Sequence, residues 1–391
     1  MKAILTVFLK ELRENLRDKR TLTNALLVGP LIGPVMFVMM LNVVINHEFS
    51  RAEAPLKLPV IGAEHAPNLI KTLKMMGLEP QAPVADPVQA VLDQKADAVL
   101  RIPADYGKAW SKGEPAQVEL FYDSSQRDSS SPVRRIQSMI TNYAKQQASM
   151  RLVARGLSPA LLSPITLDTR DQSTPQSRAS MLFSMLPYFF VLTIFLGGMY
   201  LAIDLTAGER ERQSLEPLFA NPVARWRILL GKLGAISAFS LASLLICIAA
   251  FAVAGNFLPA DKLGMNLDLG LHFALSTLLL MLPLLLLLSA LQTLVAAFAK
   301  SYREAQTYLG ILMIVPALPS VVLSVMPIKP ATWMYAVPLL GQQVGITELL
   351  RGNAINGTDI GICLLSGFAV ALVTIVITAL VYRSERLAIS A

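Results

Sequence analysis

The chain has 391 residues, of which 54% are hydrophobic and only 16% charged, and its mean hydropathy is +0.53. Soluble domains carry about 25% charged residues, so an all-soluble globular fold is excluded. The formal charge of +7 would suit nucleic acid, but the basic residues gather at the ends of apolar runs, which excludes a nucleic-acid binder and points to a lipid bilayer as the partner.

Residues 1–21 form the first predicted element, a helix with Ile4, Leu5, Phe8, Leu12 and Leu16 on one side and Lys10, Arg13, Glu14 and Arg17 on the other. Such a helix lies in the membrane interface with its basic face toward anionic headgroups. The alternative is a solvated leader that only sets topology. Residues 22–46 hold no Asp, Glu, Lys or Arg. At 1.5 Å per residue this run reaches about 37 Å, enough to cross a hydrocarbon core of about 30 Å. Gly29, Pro30, Gly33 and Pro34 predict a kink. Gly29 and Gly33 also spell a GxxxG pattern, readable as a dimerisation face or as close packing within one bundle. A cleaved signal ending at Ala52-Glu53-Ala54 is the rival reading, but the apolar run is too long for a signal core.

A polar stretch follows, and residues 47–180 read as an inserted α/β (α+β) domain. Strands are predicted at Leu56–Ile61, Ala98–Ile102, Val118–Tyr122 and Ile165–Leu167, with helices at Pro67–Met76, Pro87–Gln94 and Val133–Arg155. The two cysteines, Cys247 and Cys363, fall outside this domain, so neither a disulfide nor a zinc site is expected in it.

Residues 181–391 carry five further apolar runs, at Met181–Ile203, Ile228–Ala254, Leu271–Ala299, Thr307–Met326 and Ile360–Tyr382. Counting Lys and Arg in the short connections puts fifteen on the side of the termini and three opposite. The positive-inside rule then places both termini in the cytoplasm and the inserted domain outside it. The fold class expected is a polytopic α-helical membrane protein with six transmembrane helices and an extracytoplasmic α/β domain between the first and second.

The connection between the second and third spans, residues 205–227, is longer than adjacent helices need. It opens with Glu209, Arg210, Glu211 and Arg212, turns apolar at Leu215, Leu218 and Phe219, and ends in Arg225-Trp226-Arg227. This profile suits either a short helix docked in a partner's groove, with Trp226 at the interface, or a solvated turn that orients the helices. Residues 330–357, with Trp333 and Tyr335, read either as a re-entrant or interfacial helix or as a surface loop. Polar residues along the spans are sparse. Asn42, Thr193, Gln292, Gln306 and Thr307 are candidates for a substrate path, each with helix packing as the alternative role. The scattered His47, His65 and His272 form no catalytic or metal-spaced set, and no G-x-x-x-x-G-K-[ST] phosphate loop is present. The chain is therefore not expected to be an enzyme or to hold a cofactor or metal of its own.

The run Gly208-Glu209-Arg210-Glu211-Arg212-Gln213-Ser214-Leu215-Glu216-Pro217-Leu218, continuing to Val223-Ala224-Arg225-Trp226 and Gly231-Lys232, resembles the signature of ABC-2 type permeases, especially the sodium-efflux NatB group. Lys10-Glu11-Leu12-Arg13 and Leu16 to Leu22 resemble the same group's N-terminal helix. Gln213-Ser214 stands where the pattern usually has Gly-Thr. The resemblance implies a permease subunit of an ATP-driven exporter, paired with a second copy of itself or a related permease and with an ATP-binding subunit that holds ATP and Mg²⁺. It implies that 205–227 is the coupling segment, with Glu209, Arg210, Glu211, Arg212, Leu215, Glu216, Leu218, Phe219 and Arg225 as coupling residues. Sodium is the cargo it suggests. A lipid, drug or other amphiphile is the alternative cargo, and a non-transporting scaffold that presents its inserted domain is the alternative function.

Overall fold

The computed structural model describes residues 2–125, 130–165, 167–214, 217, 222–259, 268–325 and 329–383. The chain forms two compact units, one of Met1–Val43 with Gln172–Ala391 and one of Val44–Asp171.

In the larger unit, helix α1 (Lys2–Arg17) precedes a π-helical stretch, Thr23–Ile32, that continues as α2 (Gly33–Glu53). Pro30 lies inside the π-helical stretch, where the wider turn accommodates the missing N–H without a break. Six helices are long and apolar enough to cross a membrane, at Thr23–His47, Leu186–Glu211, Arg225–Gly255, Leu271–Phe298, Tyr302–Leu323 and Gly357–Arg383. The second is apolar on every side and the most enclosed, 72% of its apolar window being buried, as expected for a helix at the centre of a bundle. Its α-helical part packs against the first, third and fourth. Gly29 and Gly33 lie against Leu196 and Phe189 of that central helix, so the GxxxG stripe is used for packing inside the chain.

The fifth span is two helices, Tyr302–Leu312 and Ala317–Val325, where one run had been expected from Thr307 to Met326; Met326 lies outside the described residues. Pro316 cannot donate to the helical ladder. Gln343, fully buried, donates to the Pro316 carbonyl at 3.1 Å and accepts the Ser320 hydroxyl at 2.7 Å. Gln343 belongs to a helix at Leu340–Leu350 whose residues from Gly341 to Val344 and beyond are buried. The surface-loop reading of 330–357 therefore fails for its central part.

In the smaller unit the strands are β1 (Leu56–Ile61), β2 (Leu78–Gln81), β3 (Ala98–Arg101) and β4 (Glu119–Tyr122), ordered β2-β1-β3-β4. β1 pairs in parallel with β2 and β3, and β4 is antiparallel to β3. β2 carries Pro80, which hid it from strand patterning and is tolerated because β2 is an edge strand. Of the strand expected at Ile165–Leu167, Ile165 and Leu167 are not in a strand and are both 85% exposed, and Thr166 lies outside the described residues; an edge this exposed buries no apolar face to hold it in a sheet. Helices at Pro67–Met75, Pro87–Leu92, Tyr106–Lys112 and Ser130–Ala154 cover the sheet's residues, burying Leu58, Val60, Leu73, Leu100 and Ile136. Trp110 stacks between Tyr106 and Tyr143, and Arg151 lies 4.2 Å over its ring.

Candidate functional site

The helix that begins at Leu186 does not stop at Ile203. It widens into a π turn at Asp204–Gly208 and resumes for one turn at Glu209–Glu211. The chain then closes on two backbone bonds, Ser214 N–H to Glu209 C=O at 3.0 Å and Gln213 N–H to Arg210 C=O at 3.1 Å. This is a Schellman closure, and it places Gln213 in the left-handed region at φ 56°. Glycine suits that conformation, and Gly is what the family pattern usually has there.

Glu209, thus positioned, is buried and pairs with Lys232. Lys232 lies about two turns into the helix Arg225–Gly255. Its ammonium is fully buried and also donates to the Leu205 carbonyl at 2.8 Å. A third charge comes from α1. Glu11 is 1% exposed, accepts from Lys10 at 3.3 Å through Oε1, and has a buried Oε2 without a partner among the described residues. Burial raises the Glu11 carboxyl above its ordinary value, while the charges of Lys232 and Lys10 pull it the other way. Tyr382, from the last helix, packs with Leu229 and Leu233 around the same point.

The N-terminal helix docks differently from its amphipathic pattern. Leu5 and Leu16 are 57% and 49% exposed, whereas Glu11 and Asn15 are buried. The docking stripe is Ile4, Val7, Phe8 and Glu11, laid across Gly231 and Gly234. A Cβ at Gly231 would stand 2.7 Å from the Val7 Cβ and 3.0 Å from the Ile4 carbonyl, and one at Gly234 would stand 3.1 Å from the Phe8 ring. Only glycine lets the two helices approach this closely.

The remaining charges reach the ends of other helices. Arg210 donates to the Ala299 carbonyl at 3.4 Å, and Glu211 accepts the Tyr302 N–H at 2.7 Å, satisfying a free donor at a helix start. Arg212 pairs with Asp204 at 2.9 Å, and Arg225 donates to the Arg383 carbonyl at 3.1 Å. Leu215, Glu216, Leu218 and Phe219 lie outside the described residues. The described part of the segment is thus a hub that reaches the third span and the ends of the fourth, fifth and sixth. Lys232 and Glu11 are the members that pattern reading passed over. Lys232 enters the sequence reading as a flanking charge and as part of the family-like run, but not as a site residue, although a lone lysine inside the run Ile228-Leu229-Leu230-Gly231-Lys232-Leu233 is a signal of a buried partner.

The polar residues of the spans do not converge. Asn42 donates to the Phe257 carbonyl at 3.1 Å. Thr193 is buried against Cys247 at 3.4 Å, and Gln292 donates to the Phe195 carbonyl at 2.7 Å. Gln306 and Thr307 are exposed on the fifth span, the Thr307 hydroxyl donating back to Arg303 at 3.1 Å. Among the described residues no group of His, Cys, Asp and Glu is placed to hold a metal ion.

The chain matches the profile of the ABC-2 family transporter proteins over residues 25–380. It is also 27% identical over 353 residues to the ABC transporter permease protein NatB of Bacillus subtilis (strain 168), which covers 88% of this chain and 89% of that protein. With a family match that spans residues 25–380 and six apolar helices long enough to cross a membrane, the chain belongs to the ABC-2 family, as a multi-pass permease subunit of an ABC transporter.

Proposed function

We propose that this permease subunit is an exporter half, driven by a separate ATP-binding subunit that docks on residues 205–227. The carrying observation is the buried Glu209–Lys232 pair, which ties residues 205–227 to the third span, on which α1 packs at Gly231 and Gly234. A push on this hub is passed to helix ends rather than absorbed by a loose turn. The sequence has no phosphate loop, so ATP and Mg²⁺ belong to the partner. The excess of Lys and Arg on one side supports cytoplasmic termini and an extracytoplasmic inserted domain. A second copy of the chain completes the pathway. If the cycle inverts a 1:99 equilibrium between inward- and outward-open states, the motor supplies about 5.5 kcal/mol of differential binding.

Sodium as cargo follows from the resemblance to the sodium-efflux group. A second reading, an amphiphile, is favoured by an apolar cavity of about 630 Å³ between the first and third spans, lined by residues such as Leu31, Val35, Met39, Ile246 and Phe257, with Asn42 beside them. Co-reconstitution with the ATPase into vesicles tests both. Radioactive sodium accumulation dependent on ATP supports sodium, and lipid-stimulated ATP hydrolysis without sodium flux supports the amphiphile. Leu218→Asp and Phe219→Asp should abolish co-purification of the ATPase; retained binding in both would sink the docking assignment.

A further inference from the structure

The last loop of the bundle encloses a cavity of about 270 Å³ lined in part by Thr332, Tyr335, Glu348, Ile355, Asn356 and Asp359. It forms where a one-turn helix, Thr332–Tyr335, the end of the helix Leu340–Leu350 and the start of Gly357–Arg383 come together. Two carboxylates face this space, and their circumstances differ. Both oxygens of Glu348 are engaged, by Arg351 at 2.8 Å and by Asn353 at 2.7 Å, and Arg351 balances its charge. Asp359 is 8% exposed, and the Asn356 side-chain amide donates to its Oδ2 at 3.4 Å. Its Oδ1 is shielded from solvent and has no partner among the described residues.

The Asn356 amide accounts for one oxygen of Asp359 and leaves the other. A buried anion is tolerated only with a compensating charge or full hydrogen bonding. The partial positive charge of a helix start offsets it only in part. The cavity wall supplies oxygen donors suited to a cation, with neither thiol nor imidazole among the lining residues, which selects hard ions over transition metals. Burial and the charges of Glu348 and Asp359 push the Tyr335 phenol up to about 12, so it faces the cavity as a neutral hydroxyl. The uncompensated charge is one, which matches a singly charged ligand. The volume exceeds that of a bare ion and holds up to about nine waters at about 30 Å³ each.

We propose that this cavity binds a small monovalent cation, an alkali ion with part of its water shell or a primary ammonium, with Asp359 as its charged ligand. The site shares no residue with the coupling segment, so it stands or falls separately from the exporter reading.

The test uses the full chain in lipid nanodiscs, with thermal unfolding and titration calorimetry against sodium, potassium and methylammonium chlorides. Ionic strength is held constant with N-methyl-D-glucamine, a cation too bulky for the cavity. Wild type should show a saturable response to at least one small cation and none to the bulky one. The order of the three separates an alkali ion from an ammonium. Asp359→Asn, which keeps an oxygen for the Asn356 amide, should weaken the apparent affinity at least about tenfold, the loss expected for one charged contact. Tyr335→Phe, which keeps the ring and leaves Asp359 in place, should weaken it less, and it carries the test if Asp359→Asn does not fold. A wild type without saturable response, a response equal in N-methyl-D-glucamine, or unchanged midpoints in the variants that fold would overturn the proposal.

Discussion

Lys232 and Glu209 form an ion pair in which only 1% and 9% of the side-chain surfaces are exposed. The lysine comes from the third span and the glutamate from the last turn of the second, so the pair pins the start of residues 205–227 to the bundle. Replacing such a pair by apolar groups can be neutral, but removing one partner leaves the other charge stranded.

Lys232→Met should therefore cost about 3–5 kcal/mol, because Glu209 loses its partner inside the protein. The double variant Lys232→Met with Glu209→Gln should recover a large share of that loss. Thermal unfolding of the four members of this cycle in detergent measures the coupling, and additive losses would show that the pair is not one unit.

Glu11 makes the docking of α1 pH-dependent. Its carboxyl lies above the ordinary value of 4.5 because it is buried, with Lys232 and Lys10 only partly offsetting this. The folded chain therefore holds the proton more tightly than the unfolded chain does. The stability this contributes is fully present below about pH 4.5 and is lost as pH rises through the raised folded value. Glu11→Gln should remove that dependence and raise the melting temperature at neutral pH. Parallel melting curves across the range check it, and identical pH profiles for variant and wild type would refute it.

Gly231→Val would drive a side chain into Val7 and the Ile4 carbonyl, both within 3.0 Å of a new Cβ. Overpacking of this kind costs about 1–3 kcal/mol. Gly234→Ala should be milder, since the Phe8 ring at 3.1 Å can turn aside. Limited proteolysis near the N-terminus reads the release of α1; equal resistance of Gly231→Val and wild type would count against the packing.

Gln213 holds a left-handed conformation, φ 56°. An L side chain there costs about 1–2 kcal/mol, partly offset by the greater freedom glycine has when unfolded. Gln213→Gly should leave the chain more stable by up to about 1 kcal/mol, and Gln213→Ile should make it less stable. A lower melting temperature for the glycine variant would contradict the strain.

The topology is checked with an impermeant maleimide on sealed cells. The native thiols, Cys247 and Cys363, are both buried and give little background. Ser111→Cys should label from outside and Ser214→Cys only after lysis. The reverse pattern would invert the orientation and remove the export reading.

The amino-acid sequence by itself determined the number of apolar spans, because each run is long enough to cross a bilayer and charges within them are rare, Lys232 being one. It also determined that an α/β unit lies between the first and second, since Leu56–Ile61 alternates as a half-buried strand does and Ala98–Arg101 is a short apolar run of strand length. What it could not show is which charges meet. Glu11 lies about two hundred residues before Glu209 and Lys232, which are themselves 23 residues apart, and their burial follows from helices that pack together, not from any local pattern. β2 was hidden by Pro80 and the break in the fifth span by a composition that stays apolar through Pro316. Asp359 reads locally as an ordinary first-turn acid. Only the tertiary structure decided that one of its oxygens faces inward unpaired, because burial depends on what the rest of the chain brings around it.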